Sequence, residues 1–184
     1  MNLILNACGK TSAADELLNV LGDICGGDTD VIDLSEANIR ACTGCMSCQI
    51  KRPGVCPVPD DMQKLLPAYI GADLVVLVTP VFCGGYGSVY KKFLDRLCPV
   101  LTACFTRRQG ETWHIPRYTK RPRMIGVGLV KKPGHGDILK RLWERNMRQL
   151  GIEEYADIII QGEGDVSRIR ETFSLAMQKA GICP

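Results

Sequence analysis

The chain lacks any long hydrophobic run. Its longest apolar stretch, Leu74-Val75-Val76-Leu77-Val78, is far too short to span a bilayer. Charge of one sign is also missing: 23 Lys and Arg against 20 Asp and Glu leave a formal charge of +3. Nothing in that balance suggests a nucleic-acid partner. Histidine is scarce, with only His114 and His135. Neither stands in the spacing of a metal site or an activated nucleophile, and no hydrolytic triad is visible. No basic segment followed by a long apolar one opens the sequence, because Met1-Asn2-Leu3-Ile4-Leu5 runs directly into a strand-like segment. The expected compartment is the cytoplasm, with no membrane partner. Internal repeats, linkers and low-complexity stretches are absent as well. The expectation is one domain over residues 1–184, with an average 46% of hydrophobic and 23% of charged residues.

Cysteine, by contrast, is abundant, with ten residues. In a small secreted protein ten cysteines would read as a disulfide framework, but this chain is not small, and its opening residues give no reason to expect a secretion signal. Cys42, Cys45, Cys48 and Cys56 cluster, whereas Cys8, Cys25, Cys83, Cys98, Cys104 and Cys183 are scattered. In a reducing compartment a cluster points to metal or redox work, and isolated cysteines fill cores.

Strand-like runs alternate with helical periodicity. Leu3-Ile4-Leu5 opens the pattern, and Leu17, Leu18, Leu21 and Ile24 form one helical face, with Ser12 and Asp15 spaced as a capping box. Further strands are expected at Val31-Ile32-Asp33-Leu34, Leu74 to Val78, Met124 to Val130 and Ile158-Ile159-Ile160. Helical stripes are Tyr90, Phe93, Leu94, Leu97 and Leu101; then Leu139, Leu142, Trp143, Met147 and Leu150; then Val166, Ile169, Phe173 and Met177. Residues 60–70 read as a helix capped by Asp60 or Asp61 and kinked or broken at Pro67. Five such strands imply a flavodoxin-like α/β sandwich, its parallel sheet in the order 2-1-3-4-5 with helices on both faces.

Ligands of such a sheet bind beyond the carboxyl ends of the strands, where the strand order reverses. Three loops fall there, at residues 6–12, 79–88 and 130–136. In the first, the amides of Lys10, Thr11, Ser12 and Ala13 can hold one phosphate at a helix start; more plainly, Ser12 is a helix cap and Lys10 a solvated charge. Gly9-Lys10-Thr11 imitates the end of a nucleotide P-loop, but the glycine that motif needs at position 4 is Ile4. Gly126-Val127-Gly128 imitates a dinucleotide fingerprint, but position 131 is lysine and the glycines fall inside a strand. A mononucleotide suits the short first loop better. In the second loop, Thr79-Pro80-Val81-Phe82-Cys83-Gly84-Gly85-Tyr86-Gly87-Ser88, glycines let backbone lie against a flat ring such as an isoalloxazine.

This second loop, followed by Lys91-Lys92-Phe93-Leu94-Asp95-Arg96, resembles the NAD(P)H-dependent FMN reductase and iron–sulfur flavoprotein family. So does the order Cys42-Thr43-Gly44-Cys45-Met46-Ser47-Cys48, Cys56, Asp60-Asp61-Met62. The resemblance covers the first two-thirds of the chain. It implies bound FMN, a homodimer or homotetramer, and flavin sites near subunit interfaces. Carried over by position, the FMN residues are Cys8, Lys10, Thr11, Ser12, Ala13, Thr79, Pro80, Val81, Phe82, Cys83, Gly84 and Gly85. The first loop is shorter than the family's usual one and lacks its proline.

The spacing Cys42-x2-Cys45-x2-Cys48-x7-Cys56 resembles the compact iron–sulfur motif, with Pro53-Gly54 as the turn that returns Cys56. A [4Fe–4S] cluster, zinc and an unmetallated thiol set all remain open. Residues 105–122 read as an irregular arm, and in the stretch from Arg107 to Arg123 the residues Arg107, Arg108, Arg117, Lys120, Arg121 and Arg123 surround Trp113, His114 and Tyr118. It would cover a neighbouring subunit's flavin, grip NADPH phosphates, or simply be solvated. The expected function is an FMN-dependent oxidoreductase, with NAD(P)H or a carrier protein as donor and a small molecule or protein as acceptor. The alternatives are an electron carrier using FMN and a cluster without a dedicated substrate, and a cysteine-based metal or redox sensor.

Overall fold

Alternation of apolar residues along the central strands decides the architecture. In β1 (Asn2–Asn6), Leu3 and Leu5 face one core while Ile4 faces another. In β3 (Leu74–Phe82), Val75 and Leu77 point to the first core, and Leu74, Val76 and Val78 to the second. A strand apolar on both sides must be covered on both sides, so helices flank the sheet. The computed structural model describes residues 1–132, 134–161 and 166–182, apart from the side chains of Ser12, Ala13 and residues 166–168.

The remaining elements are α1 (Ser12–Cys25), β2 (Thr29–Asp33), α2 (Met62–Gly71), β4 (Gly85–Tyr86), α3 (Ser88–Asp95), β5 (Leu101–Arg108), β6 (Glu111–Pro116), β7 (Arg123–Val130), α4 (His135–Leu150), β8 (Tyr155–Gln161) and α5 (Val166–Lys179). Five parallel strands run β2-β1-β3-β7-β8, the expected 2-1-3-4-5 order, and β4 pairs antiparallel with the end of β3. Leu17 and Leu21 of α1 share one core with Phe173 and Met177 of α5; α2, α3 and α4 cover the other face. Val166, expected to point inward, lies among the side chains outside the description. Among the described residues no helix is long and apolar enough to cross a membrane.

Gly126 and Gly128 sit within β7, as the sequence indicated, and the packing explains them. A Cβ on Gly126 would come within 2.9 Å of the Trp143 ring, and one on Gly128 within 2.3 Å of Leu139 Cδ2. They let α4 lie close against the sheet.

Four local expectations are corrected. Thr11, not Ser12, caps α1: its Oγ1 accepts from the Ala14 amide at 3.2 Å. Residues 62–71 stay helical through Pro67, which lies on the exposed face where the carbonyl it frees, that of Gln63, can meet water. The helix carrying Tyr90 and Phe93 stops at Asp95, and Leu101 opens a strand. Pro99, in a short 3₁₀ turn at Cys98–Val100, cannot continue an α-helix. The arm expected to be irregular is an antiparallel hairpin of β5 and β6, with Arg108 paired to Glu111. Its turn residues, Gln109 and Gly110, both have positive φ, 50° and 79°.

Candidate functional site

The carboxyl ends of β1 and β3 lie side by side where the strand order reverses. Asn6, 2% exposed, ends β1 and organises the first loop. Its Oδ1 accepts the Cys8 amide at 2.9 Å, and its Nδ2 donates to the Gly9 carbonyl at 3.3 Å and to Asp33 Oδ2 at 3.4 Å. The loop is thus closed by a side chain of the strand itself, with Gly9 at φ +73°. Lys10 and Thr11 are exposed at the mouth, and Lys10 Nζ pairs with Glu36 Oε1 at 2.5 Å. Cys8 is half-buried against the α1–α5 core, and burial first, then Asp33, pushes its thiol up to about 12. The side chains of Ser12 and Ala13 lie outside the description.

The second loop is tighter than its sequence suggested. Thr79, Pro80, Val81 and Phe82 belong to β3, and the chain reverses through Cys83 (φ +50°) and Gly84 (φ +80°) into β4. Two consecutive positive φ angles match the turn type that suits a two-residue hairpin. Thr79, 1% exposed, accepts the Gly87 amide on Oγ1 at 3.3 Å, and the Pro80 carbonyl accepts the same amide at 3.0 Å. A Cβ on Gly84 would fall 2.6 Å from Ile138 Cβ, so this turn rests on the start of α4. Phe82 is 61% exposed beside it, and Val81 is buried. From the third loop, Lys131 and Lys132 are exposed and Gly134 enters α4 at φ +84°; Pro133 lies outside the described residues.

The four clustered cysteines occupy one long excursion between β2 and α2. Its ends are pinned together: the Asn38 amide donates to Asp61 Oδ2 at 2.7 Å, and the Arg40 amide to Asp60 Oδ2 at 2.9 Å. Asp60 also caps Met62 N at 3.1 Å and forms a bidentate ion pair with Arg96 of the segment after α3, at 2.6 and 3.0 Å. Burial alone would push the Asp60 carboxyl up, but Arg96 and the Arg40 and Met62 amides hold it below the usual carboxylate value. Cys42 and Cys45 are exposed, Cys56 is half-buried and Cys48 is buried. Hydrogen bonds from Ser47 N–H and the Thr43 hydroxyl lower the Cys45 thiol, while burial raises that of Cys48. Pro53-Gly54 does form the expected turn, with Gly54 at φ +85° and its amide bonded to the Cys48 carbonyl at 2.9 Å. Gly54 packs against Arg117 and Tyr118, where a Cβ would meet atoms at 3.3 Å.

Sequence reasoning missed a fifth cysteine here. Burial raises the Cys98 thiol to about 11, with Cys42 and Cys48 as neighbours. Its position 50 residues beyond Cys48 hid it. Among the described residues, no group of three or more His, Cys, Asp or Glu side chains is placed to hold a metal ion in this geometry.

The basic arm disperses. Lys120 bonds the Gly71 carbonyl at 2.8 Å and Asp73 at 2.9 Å, and Arg123 pairs with Glu154 at 2.6 Å where β7 begins, at the end of the sheet opposite the three loops. Arg117 holds the Pro99 and Leu101 carbonyls at 3.0 Å. Glu111 pairs with Arg145 at 2.5 Å and fixes β6 to α4. Only Arg107 and Arg108 remain at the hairpin tip, Arg108 lying 5.8 Å from the centre of the Trp113 ring.

The strand order and the loops at its reversal define a flavodoxin-like α/β protein. Residues 3–114, more than half of the chain, match the family described as NADPH-dependent FMN reductase, and the chain belongs to that family. It is 34% identical over 85 residues to an iron–sulfur flavoprotein of Methanocaldococcus jannaschii, covering 46% of this chain and 42% of that protein. To an iron–sulfur flavoprotein of Archaeoglobus fulgidus it is 32% identical over 71 residues, covering 39% and 34%. The matched stretch therefore spans less than half the length of either relative. Its fold is similar to an NAD(P)H:quinone oxidoreductase from Methanothermobacter marburgensis (TM-score 0.66, 15% identity, 93% and 95% of the two chains). It is also similar to an azoreductase from Bacillus anthracis (TM-score 0.62, 12% identity, 97% and 95%).

Proposed function

We propose that the chain binds FMN across the carboxyl ends of β1, β3 and β7 and carries electrons from NAD(P)H to an acceptor. The observation that carries this reading is the pairing of an Asn6-closed loop at a helix start with the Thr79-stapled glycine turn, side by side at the strand reversal. The donor set fits the cofactor. Thr11, Lys10 and the amides at the start of α1 suit a single phosphate, because helix dipole and cation both favour an anion there. The backbone of Cys83, Gly84 and Gly85 offers amides and carbonyls with little side chain in the way, as the polar edge of a flat ring requires. Thr79, Pro80 and Val81 hold that turn in place, and exposed Phe82 lies at its rim. FMN, once bound, supplies hydride acceptance and electron release; the protein supplies orientation and electrostatics.

The cysteine excursion supports a second cofactor. Four soft thiol ligands on one loop suit an iron–sulfur cluster. A buried, unsatisfied donor, Arg96 Nε, lies in the same cavity wall as Cys56, as a site built to receive negative charge on sulfur should have. We assign Cys42, Cys45, Cys48 and Cys56 as the ligands of a [4Fe–4S] cluster. With a cluster present, the chain can also work as a carrier between two protein partners, the alternative this loop favours.

The hairpin supports self-association. Phe105, 58% exposed on the face of the ribbon opposite Trp113, is apolar surface that a partner subunit would cover. Calorimetric titration with FMN and with FAD, followed by steady-state NADH and NADPH oxidation, tests the reading. Preferential FMN binding with NAD(P)H turnover supports it, and a protein that takes up no flavin refutes it.

A further inference from the structure

Asn6 does more than close the first loop, because its carboxamide is held in one polarity. Only Oδ1 can accept the Cys8 amide, at 2.9 Å. Nδ2 therefore faces the two oxygens, the Gly9 carbonyl at 3.3 Å and Asp33 Oδ2 at 3.4 Å. Asp33 stands beside Asn6 in the β1–β2 register and is itself held. Its Oδ1 accepts the Ser35 amide at 2.8 Å and the Ser35 hydroxyl at 2.6 Å, which leaves Oδ2 for Asn6. The consequence falls on one peptide group. A trans peptide points its C=O and N–H in opposite directions, so a Gly9 carbonyl turned in to Asn6 turns the Lys10 N–H out. Gly9 reaches that orientation at φ +73°, where a side chain would be strained. The Lys10 amide has no acceptor among the described residues, whereas Asn6 takes the Cys8 amide and Thr11 that of Ala14. Tying the loop to the strand needs only the Cys8 contact, which does not orient the Gly9–Lys10 peptide.

We propose that Asn6 and Asp33 are positioning residues for the phosphate of FMN. Asp33 holds the Asn6 carboxamide, and Asn6 turns the Gly9–Lys10 peptide so that the Lys10 N–H meets the phosphate. The proposal rests on the FMN reading made under the proposed function, and it names the groups that set a preference for a phosphorylated flavin. A hydrogen bond from an amide to an anion is charge-assisted and stronger than a neutral one. An amide already aimed at the anion undergoes no reordering on binding, so its full strength appears as affinity. Neither Asn6 nor Asp33 touches the ligand in this arrangement; both act through the backbone of Gly9.

Wild type, Asn6→Ala, Asn6→Asp and the double variant Asn6→Asp/Asp33→Asn should be titrated calorimetrically with FMN and with riboflavin, which lacks only the phosphate. Wild type should prefer FMN. Asn6→Ala should lose roughly ten- to a hundredfold in FMN affinity, the size of one hydrogen bond to a charged group, with riboflavin affinity unchanged. Asn6→Asp should lose at least as much, since it turns a second carboxylate toward Asp33. The double variant returns one donor to that contact and should recover part of the loss. In ¹⁵N-labelled wild type, a measurement that needs no variant to fold, the Lys10 amide resonance should move on adding FMN and stay in place with riboflavin. A folded Asn6→Ala that keeps the wild-type preference for FMN, or that loses both flavins alike, overturns the role of Asn6 and leaves FMN binding standing. So does a Lys10 amide that does not respond to bound FMN. Wild type that takes up neither flavin overturns the FMN reading, and this role with it.

Discussion

Asp60 and Arg96, 36 residues apart, meet in a bidentate pair whose side chains are 0% and 1% exposed. Removing one partner strands the other as a buried charge, a loss of about 3–5 kcal/mol. Asp60→Ala should therefore lower the unfolding free energy by about that amount in urea, and it should also loosen Arg40, whose amide Asp60 accepts and whose carbonyl Arg96 holds. A loss below about 1 kcal/mol would show the pair to be solvated in solution.

The pair also sets an acid limit. The Asp60 carboxyl is held below its unfolded value, so its contribution is fully present above the ordinary carboxylate range and is lost as pH falls through the depressed one. Wild-type melting temperature should fall more steeply below about pH 4 than that of Asp60→Asn, which has no carboxyl to protonate. Parallel curves for the two proteins would assign the acid sensitivity to other groups.

Gly126 should tolerate no side chain. The Trp143 ring, 2% exposed and 2.9 Å from the added Cβ, is rigid and surrounded by core. Gly126→Ala should cost about 1–3 kcal/mol. Gly128→Ala should cost less despite its shorter 2.3 Å contact, because that neighbour is the mobile end of Leu139. Thermal melts of the two variants give the order, and the reverse order would contradict this packing.

At the mouth of the first loop, Lys10 is neutralised by Glu36, both side chains exposed at 72% and 61%. A phosphate must compete with that carboxylate. Glu36→Gln should strengthen FMN binding a few-fold at low ionic strength, with the gain fading at high salt. Lys10→Met should weaken binding under the same conditions. Calorimetric titration at two salt concentrations decides it, and salt-independent effects would place the phosphate elsewhere.

Self-association should depend on the outer face of the hairpin. Phe105→Ser alters an exposed residue whose ring lies 4.4 Å from that of His114, so folding should be little changed. Sedimentation should show weaker assembly and loss of FMN on dilution. A wild-type monomer at micromolar concentration with FMN retained would rule out an interface there.

The sheet was legible because apolar periodicity along its strands reflects burial on both faces, and strand order followed from handedness and size. The cysteine spacing and the two glycine-bearing loops were equally plain. The β5–β6 hairpin was not: its turn is Gln109-Gly110, not the usual Asn-Gly, and its strands carry arginine and threonine on a largely solvated ribbon. Asn6 was hidden because a buried asparagine at a strand end looks like any loop residue until its three partners are in place. Arg96 and Cys98 were missed as parts of the cysteine site because only tertiary packing brings the end of α3 beneath residues 40–60.

The central claim, that this chain is an FMN-binding redox protein fed by NAD(P)H, is tested most directly by one anaerobic optical titration. FMN-loaded protein should lose its oxidised flavin absorbance on stoichiometric addition of NADPH or NADH and regain it when an acceptor is admitted. Protein that shows no flavin absorbance after incubation with excess FMN and desalting, or whose bound flavin is untouched by both nucleotides, would contradict it.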